Sequence, residues 1–423
     1  MFTLPSGDSL VARTRGVFYG WWLVATSVAL LTVLALSIFQ GLGTFFVALE
    51  RQFGWSRTTI SGAFSFGRAQ GALLGPFEGL LVDRFGPRRM LLVGFLVMGV
   101  GFLLLSRIQE VWQFYAAFIV VTLGSGIGGW LAIISLVNNW FIRRRALAMA
   151  TAMSGIHLGG LLVPVLALGL ESHGFRMTTL GIGVFLLVMA YPVTRVIRDR
   201  PEDYGMAPDG DPVPAEPTSR GEETGDEEED FTVREALRTP AFWTITVVHL
   251  ASSVSIVSLA VHLVPRLTDM GLSLGAASTV VLTYTVVALP AQLVAGYLAD
   301  RLPKPPVTCV FVLFQALAIA VIAAADTVAM AYLFAVLYGV GFGGRIPLLT
   351  AMRGEYFGRK AFATIMGLSQ FPNNLAMIGA PLFAGYMFDT TGTYAVPFAT
   401  FAALNFLGAG LILTVRRPRR NRA

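Results

Sequence analysis

The 423-residue chain holds one cysteine, Cys309, and four histidines. A single thiol excludes a disulfide framework and a thiolate metal cluster, and His157, His173, His249 and His262 are too scattered for metal-ligand spacing on one helix. Charge is equally scarce. Asp, Glu, Lys and Arg make up 13% of residues, whereas a globular domain carries about a quarter. So few charges cannot clothe a soluble surface of this length, which excludes a soluble enzyme. No ATP-binding P-loop and no nucleophile–base pair occurs, so no enzymatic activity and no cofactor or metal is expected. What the chain has instead is 55% hydrophobic residues and a mean hydropathy of +0.68.

That apolar content falls into runs. About 20 helical residues cross roughly 30 Å of hydrocarbon, and twelve such spans are predicted, at 21–48, 58–81, 90–106, 112–141, 146–170, 178–197, 242–264, 274–299, 307–325, 328–350, 362–387 and 394–415. The runs are continuous where a barrel strand would alternate, so an all-α polytopic membrane protein is expected. Basic residues gather in alternate loops: Arg13 and Arg15, 84–89, 143–145, the middle loop, Arg301 and Lys304, 353–360, and 416–422. The opposite loops hold only Arg51, Arg57, Arg107, Arg176 and Arg266. By the positive-inside rule both termini lie in the cytoplasm of a multi-pass plasma (inner) membrane protein. The net charge of +6 thus follows topology, and no nucleic-acid partner is expected. The first eighteen residues lack a cleavable signal pattern, so the first span is expected to be retained.

Between 198 and 240 the composition turns polar, with several prolines and the run EETGDEEED at 222–230. Such a stretch cannot bury a core and reads as a solvated cytoplasmic tether, with a regulatory docking segment as the alternative. It divides the chain into a six-helix bundle over 1–197 and a second over 241–423 with a short basic tail. The halves repeat. Gly79-Leu-Leu-Val-Asp83-Arg84 returns as Gly296-Tyr-Leu-Ala-Asp300-Arg301, Gly124-Ser-Gly126-Ile-Gly128-Gly129 returns as Gly339-Val-Gly341-Phe-Gly343-Gly344, and Phe141-x-Arg143-Arg144 returns as Phe357-x-Arg359-Lys360. Three matches at nearly one offset imply parallel halves around a midplane site, the architecture of alternating access. The glycine runs fit G-x-G-x-x-G, but they lie inside apolar spans, not after a strand, so they are read as close-packing surfaces and not as a dinucleotide fingerprint.

The loop Gly79-Leu-Leu-Val-Asp83-Arg84-Phe-Gly86-Pro-Arg88-Arg89 resembles the loop signature of the major facilitator superfamily. The resemblance extends over almost the whole chain and implies twelve helices in two pseudo-symmetric bundles. Gly79 permits close helix packing, Asp83 can accept hydrogen bonds from a neighbouring helix terminus, and Arg84 and Arg88 can pair with carboxylates of the adjoining bundle. With Gly86, and with Gly296, Asp300 and Arg301 in the second copy, they form the expected conformational latch; the second copy is degraded after Arg301. Within the superfamily, Trp140-Phe-Ile-Arg-Arg-Arg-Ala-Leu-Ala-Met-Ala-Thr-Ala-Met-Ser-Gly155 resembles a fifth-helix signature of the monocarboxylate porter and oxalate-formate branch. Phe18-Tyr-Gly-Trp-Trp22 resembles its first-helix signature, with Tyr19 at an acidic position, and His262-Leu-Val-Pro265 leading to Gly271 adds to the likeness. The branch often carries Asp and Arg four residues apart in the eighth span; those places here hold Ala288 and Gln292, and a first-span lysine falls near Gln40.

Two arginines lie inside spans. Arg68 is about 22 Å of helix from Asp83, and Arg345 about 18 Å from Phe357. An intramembrane cation is expensive and by default faces a site, so both are substrate-binding candidates, Arg68 first; the alternative is a structural ion pair. Glu78, ten residues from Arg68, is too distant along the helix to pair with it directly. His157 is placed opposite Asn373 by the repeat, and Pro372-Asn373-Asn374 is expected to break its helix and expose amides and carbonyls. Gln40, His262 and Gln292 complete the candidate set. The expected function is secondary active transport of a small solute, an organic anion such as a monocarboxylate, by a monomer in the lipid bilayer, with a proton or counter-solute as coupling partner. A drug-efflux antiporter is the alternative, although 155–160 lacks the Gly-Pro of that motif, and a non-transporting solute sensor is a further one.

Overall fold

The computed structural model describes residues 18–55, 57–211, 230–272 and 274–419. In the first half the helices are α1 (Tyr19–Leu34), α2 (Leu42–Phe53), α3 (Arg57–Phe85), α4 (Pro87–Leu105), α5 (Val111–Gly128), α6 (Trp130–Trp140), α7 (Arg145–Leu161) and α8 (Val163–Val196). After the short α9 (Val233–Leu237) the second half has α10 (Pro240–Asp269), α11 (Leu274–Ala299), α12 (Lys304–Ala323), α13 (Val328–Phe357), α14 (Phe362–Thr391) and α15 (Ala395–Ile412). Nine stretches of the described helices are long and apolar enough to cross a membrane. One of them, Arg145–Val196, is two spans joined where Gly174 takes φ 75°, a left-handed conformation that side chains resist. The polar helices α3 and α14 fall below that apolar threshold but have the length of spans, which makes twelve.

Three spans are broken. A π turn, Ala35–Phe39, separates α1 from α2 just before Gln40, and Gly129, at φ −100° and ψ −133°, separates α5 from α6. The third break is at Leu162, between α7 and α8. The break predicted at Pro372 does not occur: α14 runs unbroken from Phe362 to Thr391 through Pro372 and Pro381. A proline removes one backbone hydrogen bond, whereas unwinding the helix in a membrane would strand several more donors and acceptors.

The glycine runs bring backbones together. A Cβ at Gly94 would stand 2.3 Å from Gly128 Cα and one at Gly124 2.4 Å from Met98 N, so α4 and α5 touch along their main chains. Gly126 makes room for the buried Glu78, whose Oε1 would lie 1.9 Å from a Cβ there. In the second copy Gly341 meets Gln315 on α12 and Gly343 meets Ala288 on α11.

The halves join along α3 with α14 and α7 with α11 and α13. At the end that carries the linker, the two aspartates of the repeated loops each cap a helix of the opposite half. Asp83 accepts from the backbone N–H of Ala363 (3.1 Å) and Thr364 (2.8 Å) and from Thr364 Oγ1 (2.6 Å). Asp300 accepts from Ala146 (2.8 Å) and Leu147 (2.9 Å). These are the orphan donors of the first turns of α14 and α7, where a carboxylate is favoured. The arginines do not act as expected. Among the described contacts Arg84 lies over the ring of Phe85 and Arg301 over Tyr297, while the Arg88 N–H donates to Asp199 at the start of the linker. The backbone donors lie within reach of the aspartates, so the aspartates rather than the arginines carry the interhalf contact.

Both carboxyls are pushed up to about 6 by burial, against the hydrogen bonds that favour the anion. An acid whose pKa is higher in the closed arrangement than in water takes up a proton on closing. Closure of this face is therefore favoured as pH falls through about 6, and that contribution is lost as pH rises above it. Combining Asp83→Asn with Asp300→Asn is expected to remove this dependence, read as the distance between spin labels at Arg144 and Leu302. Asp83→Asn alone is expected to slow cycling more than it weakens solute affinity.

The ends of the linker are docked, where composition suggested a solvated tether; 212–229 lie outside the described residues. Asp209 accepts from the N–H groups of Ile142 (2.9 Å), Arg143 (2.8 Å) and Arg144 (3.2 Å). Asp230 accepts from Arg359 (2.8 Å) and Lys360 (3.0 Å). Arg143 and Arg144 are the repeat equivalents of Arg359 and Lys360, so each end of the linker caps the same loop of a different half. Arg359 also crosses between halves, donating to Asn139 O (2.8 Å) and pairing with Glu202 (2.8 Å). Half-exposed pairs are weak, about 1 kcal/mol or less. Arg359→Ala is accordingly expected to shift the closed population by less than about tenfold, measured with the same label pair.

Candidate functional site

Between the two faces, α7, α11 and α13 bring a polar and aromatic group together at mid-depth. His157 Nε2 lies 3.1 Å from Gln292 Oε1, and Gln292 Nε2 donates to Ala150 O at 2.6 Å. This bridge joins the halves, and both side chains are buried. The His157 ring meets Phe342 edge-on, with centroids 5.7 Å apart. Phe342 stacks on Tyr338 at 5.7 Å and Tyr338 on Phe334 at 5.1 Å, because i, i+4 and i+8 share one helical face. Tyr284 of α11 meets Tyr338 edge-on at 5.2 Å.

Arg345 follows Phe342 by three residues and so lies on that same face, one turn nearer the closed end. It is 1% exposed, and its Nε and Nη1 have no hydrogen-bond partner among the described residues. An unpaired buried guanidinium is costly, and an anion is what would complete it. His249 of α10 is buried in the electrostatic field of Arg345 and Arg353.

The other candidates separate. Arg68 lies on α3, and its side chain lies outside the described residues. Asn373 is buried but donates within its own helix, to Gln370 Oε1 (2.9 Å) and Met377 Sδ (3.5 Å), with its Oδ1 unpartnered. It does not meet His157; the repeat relates their positions, but the halves interlock through α11, which places Gln292 there instead. Asn374 is half-buried, and Gln40 is exposed beside Gly160 of α7, 3.6 Å from where a Cβ would stand. His262 is removed from the site, for its two nitrogens contact Tyr394 Oη (3.2 Å) and Pro381 O (3.0 Å) within the second half.

Sequence reasoning assigned Arg145 and Arg353 to basic loops, but both are fully buried. Arg353 donates to Ser369 Oγ (2.7 Å) and Leu349 O (3.2 Å), and Arg145 Nε to Phe141 O (3.0 Å). The signal for Arg353 was present: it falls eight residues after Arg345, hence on the same helical face. The docked carboxylates Asp199, Asp209 and Asp230 left no such signal.

Two six-helix bundles related by an internal repeat, closed at one end and enclosing a polar cluster at mid-depth, define a secondary transporter. The sequence model of the Major Facilitator Superfamily matches residues 28–277 and 250–423, and the chain belongs to that superfamily. It is 27% identical over 410 residues to monocarboxylate transporter 13 of Bos taurus, covering 94% of this chain and 89% of that one. It is 23% identical over 365 residues to the oxalate:formate antiporter of Oxalobacter formigenes, covering 84% and 77%. The human organic anion transporter MFSD10 (TETRAN) has the same fold, with a TM-score of 0.71 at 16% identity over 93% of this chain and 99% of that chain. The protein is therefore a multi-pass membrane transporter, and alternating access follows from its fold.

Proposed function

We propose that the protein carries small organic anions, monocarboxylates among them, across the plasma (inner) membrane, with its termini and linker in the cytoplasm, as a monomer. Arg345 carries this reading: a buried cation at mid-depth with two unpartnered donors suits a carboxylate, and its fork can grip one in a planar pair. The aromatic face of Phe334, Tyr338 and Phe342 supplies an apolar wall for the rest of the solute. Similarity to a monocarboxylate transporter and to an oxalate:formate antiporter supports the same class. Arg68, Gln40, Asn373 and Asn374 are proposed to line the path, with the linker-end face as the cytoplasmic gate, closed here.

A ligand of the folded state raises its melting temperature. Purified protein is expected to be stabilised by monocarboxylates and not by sugars, amino acids or cationic drugs, and proteoliposomes to take up the same carboxylates. Stabilisation by cationic drugs alone would favour the efflux reading, and binding without uptake in liposomes would favour a sensor.

A further inference from the structure

The bridge between His157 and Gln292 joins the halves at the depth of the proposed site, and its donors and acceptors are determined by their neighbours. Gln292 Nε2 is spent on Ala150 O at 2.6 Å, so Oε1 faces His157 and only accepts. His157 Nε2 must then carry a hydrogen, and Nδ1 is left as the free base of the ring.

Resting on the organic-anion reading above, we propose that His157 Nδ1 binds the proton that accompanies the transported carboxylate. A proton from water forms the new N–H bond at Nδ1, the ring gains one positive charge, and the Nε2–H to Gln292 bond persists as a charge-assisted one; on release the proton returns to water. The groups that face His157 make this uptake conditional. From α13 come Arg345, on the face His157 packs against, and Tyr338; from α11 come Tyr284 and the neutral Gln292. Helix α6 has no titratable residue, α1 only Tyr19 at its far end, and α8 only Glu171 and His173 near its first span's outer end and Arg195 at its C-terminal end, besides Arg176 and Tyr191 between them. No carboxylate of these elements lies beside the ring to offset its charge. An imidazolium and Arg345 are two like charges in a desolvated site, tolerable only when an anion enters between them. Proton and carboxylate therefore bind as a pair, and by linkage each raises the affinity for the other. A neutral glutamine at 292 fits this arrangement, since it holds the ring without charging it.

The test is calorimetry of acetate, pyruvate and benzoate with the full chain in lipid nanodiscs, in buffers of different ionisation enthalpy. Binding is expected to take up about one proton per anion, with affinity rising about tenfold per unit fall in pH over the range where His157 is neutral. His157→Gln is expected to bind with no proton uptake and no pH dependence from this source, whereas Glu78→Gln and Asp83→Asn keep the uptake. Gln292→Glu, which sets a carboxylate beside Nε2, is expected to move the pH profile upward by at least one unit and decides the matter if His157→Gln does not fold. Uptake that survives His157→Gln, or that disappears in Glu78→Gln instead, overturns the proposal. Binding of these anions without proton uptake in the wild type overturns it and leaves the anion reading standing; failure of every anion to bind overturns both.

Discussion

Gly367→Val is expected to disfavour closure of the linker-end face and to slow transport, while the protein still folds. A Cβ at Gly367 would stand 2.4 Å from Gly75 O and 3.1 Å from Pro76 Cα. These are main-chain atoms, which cannot swing aside as a side-chain tip can, so α3 and α14 must separate. Overpacking of this kind costs about 1–3 kcal/mol. Because the cost falls only on the closed arrangement, it shifts the conformational ratio by roughly ten- to hundredfold towards opening. Labels at Arg144 and Leu302 should report a longer distance, and uptake in proteoliposomes should fall by a similar factor. Gly71→Val is the control: one turn beyond Gly75, its Cβ would meet nothing within 4 Å. An unchanged label distance in Gly367→Val would show that the halves close by another contact.

Arg345 is the second residue with a large expected effect, and two readouts of opposite sign test it. Arg345→Gln removes the charge-assisted bond to a carboxylate, which should weaken binding by about 1.5–3 kcal/mol, roughly ten- to hundredfold. Lysine should rescue only in part, because an ammonium lacks the planar fork. In the ligand-free protein, Arg345→Leu should raise the melting temperature, since the side chain is 1% exposed with Nε and Nη1 unpartnered and its burial is uncompensated. A structural arginine would behave in reverse, with leucine lowering the melting temperature and affinity unaffected. Arg353, which bonds Ser369 and Leu349, is the internal comparison and should lose stability on truncation.

Much of the contact between the halves was legible because a loop motif repeats at one spacing. Asp83 and Asp300 recur with their glycines, and a carboxylate just beyond a span has few partners other than the end of a neighbouring helix. Which donors they reach, Ala363 and Thr364 for one and Ala146 and Leu147 for the other, follows only from the way the halves cross. The site was legible in part. Arg345, His157 and Gln292 stood out as polar residues in apolar spans, but the repeat that places His157 opposite Asn373 does not say which residue His157 touches. Residues related by a pseudo-twofold axis are equivalent in position, and they touch only where the axis passes between them.

By itself the sequence determined the class, the spans and the repeat. Each rests on a short-range property: hydrocarbon demands about 20 apolar residues per crossing, lysine and arginine mark alternate loops, and duplicated halves keep their motifs at a constant offset. Tertiary structure alone decided which face is closed, that Arg145 is buried, that α14 passes Pro372 unbroken, and that the linker caps equivalent loops of both halves through Asp209 and Asp230. These depend on contacts between residues up to 281 positions apart. A carboxylate or guanidinium shows in the sequence that it will need a partner in a dry interior, but the crossing of two helix bundles chooses which partner it finds.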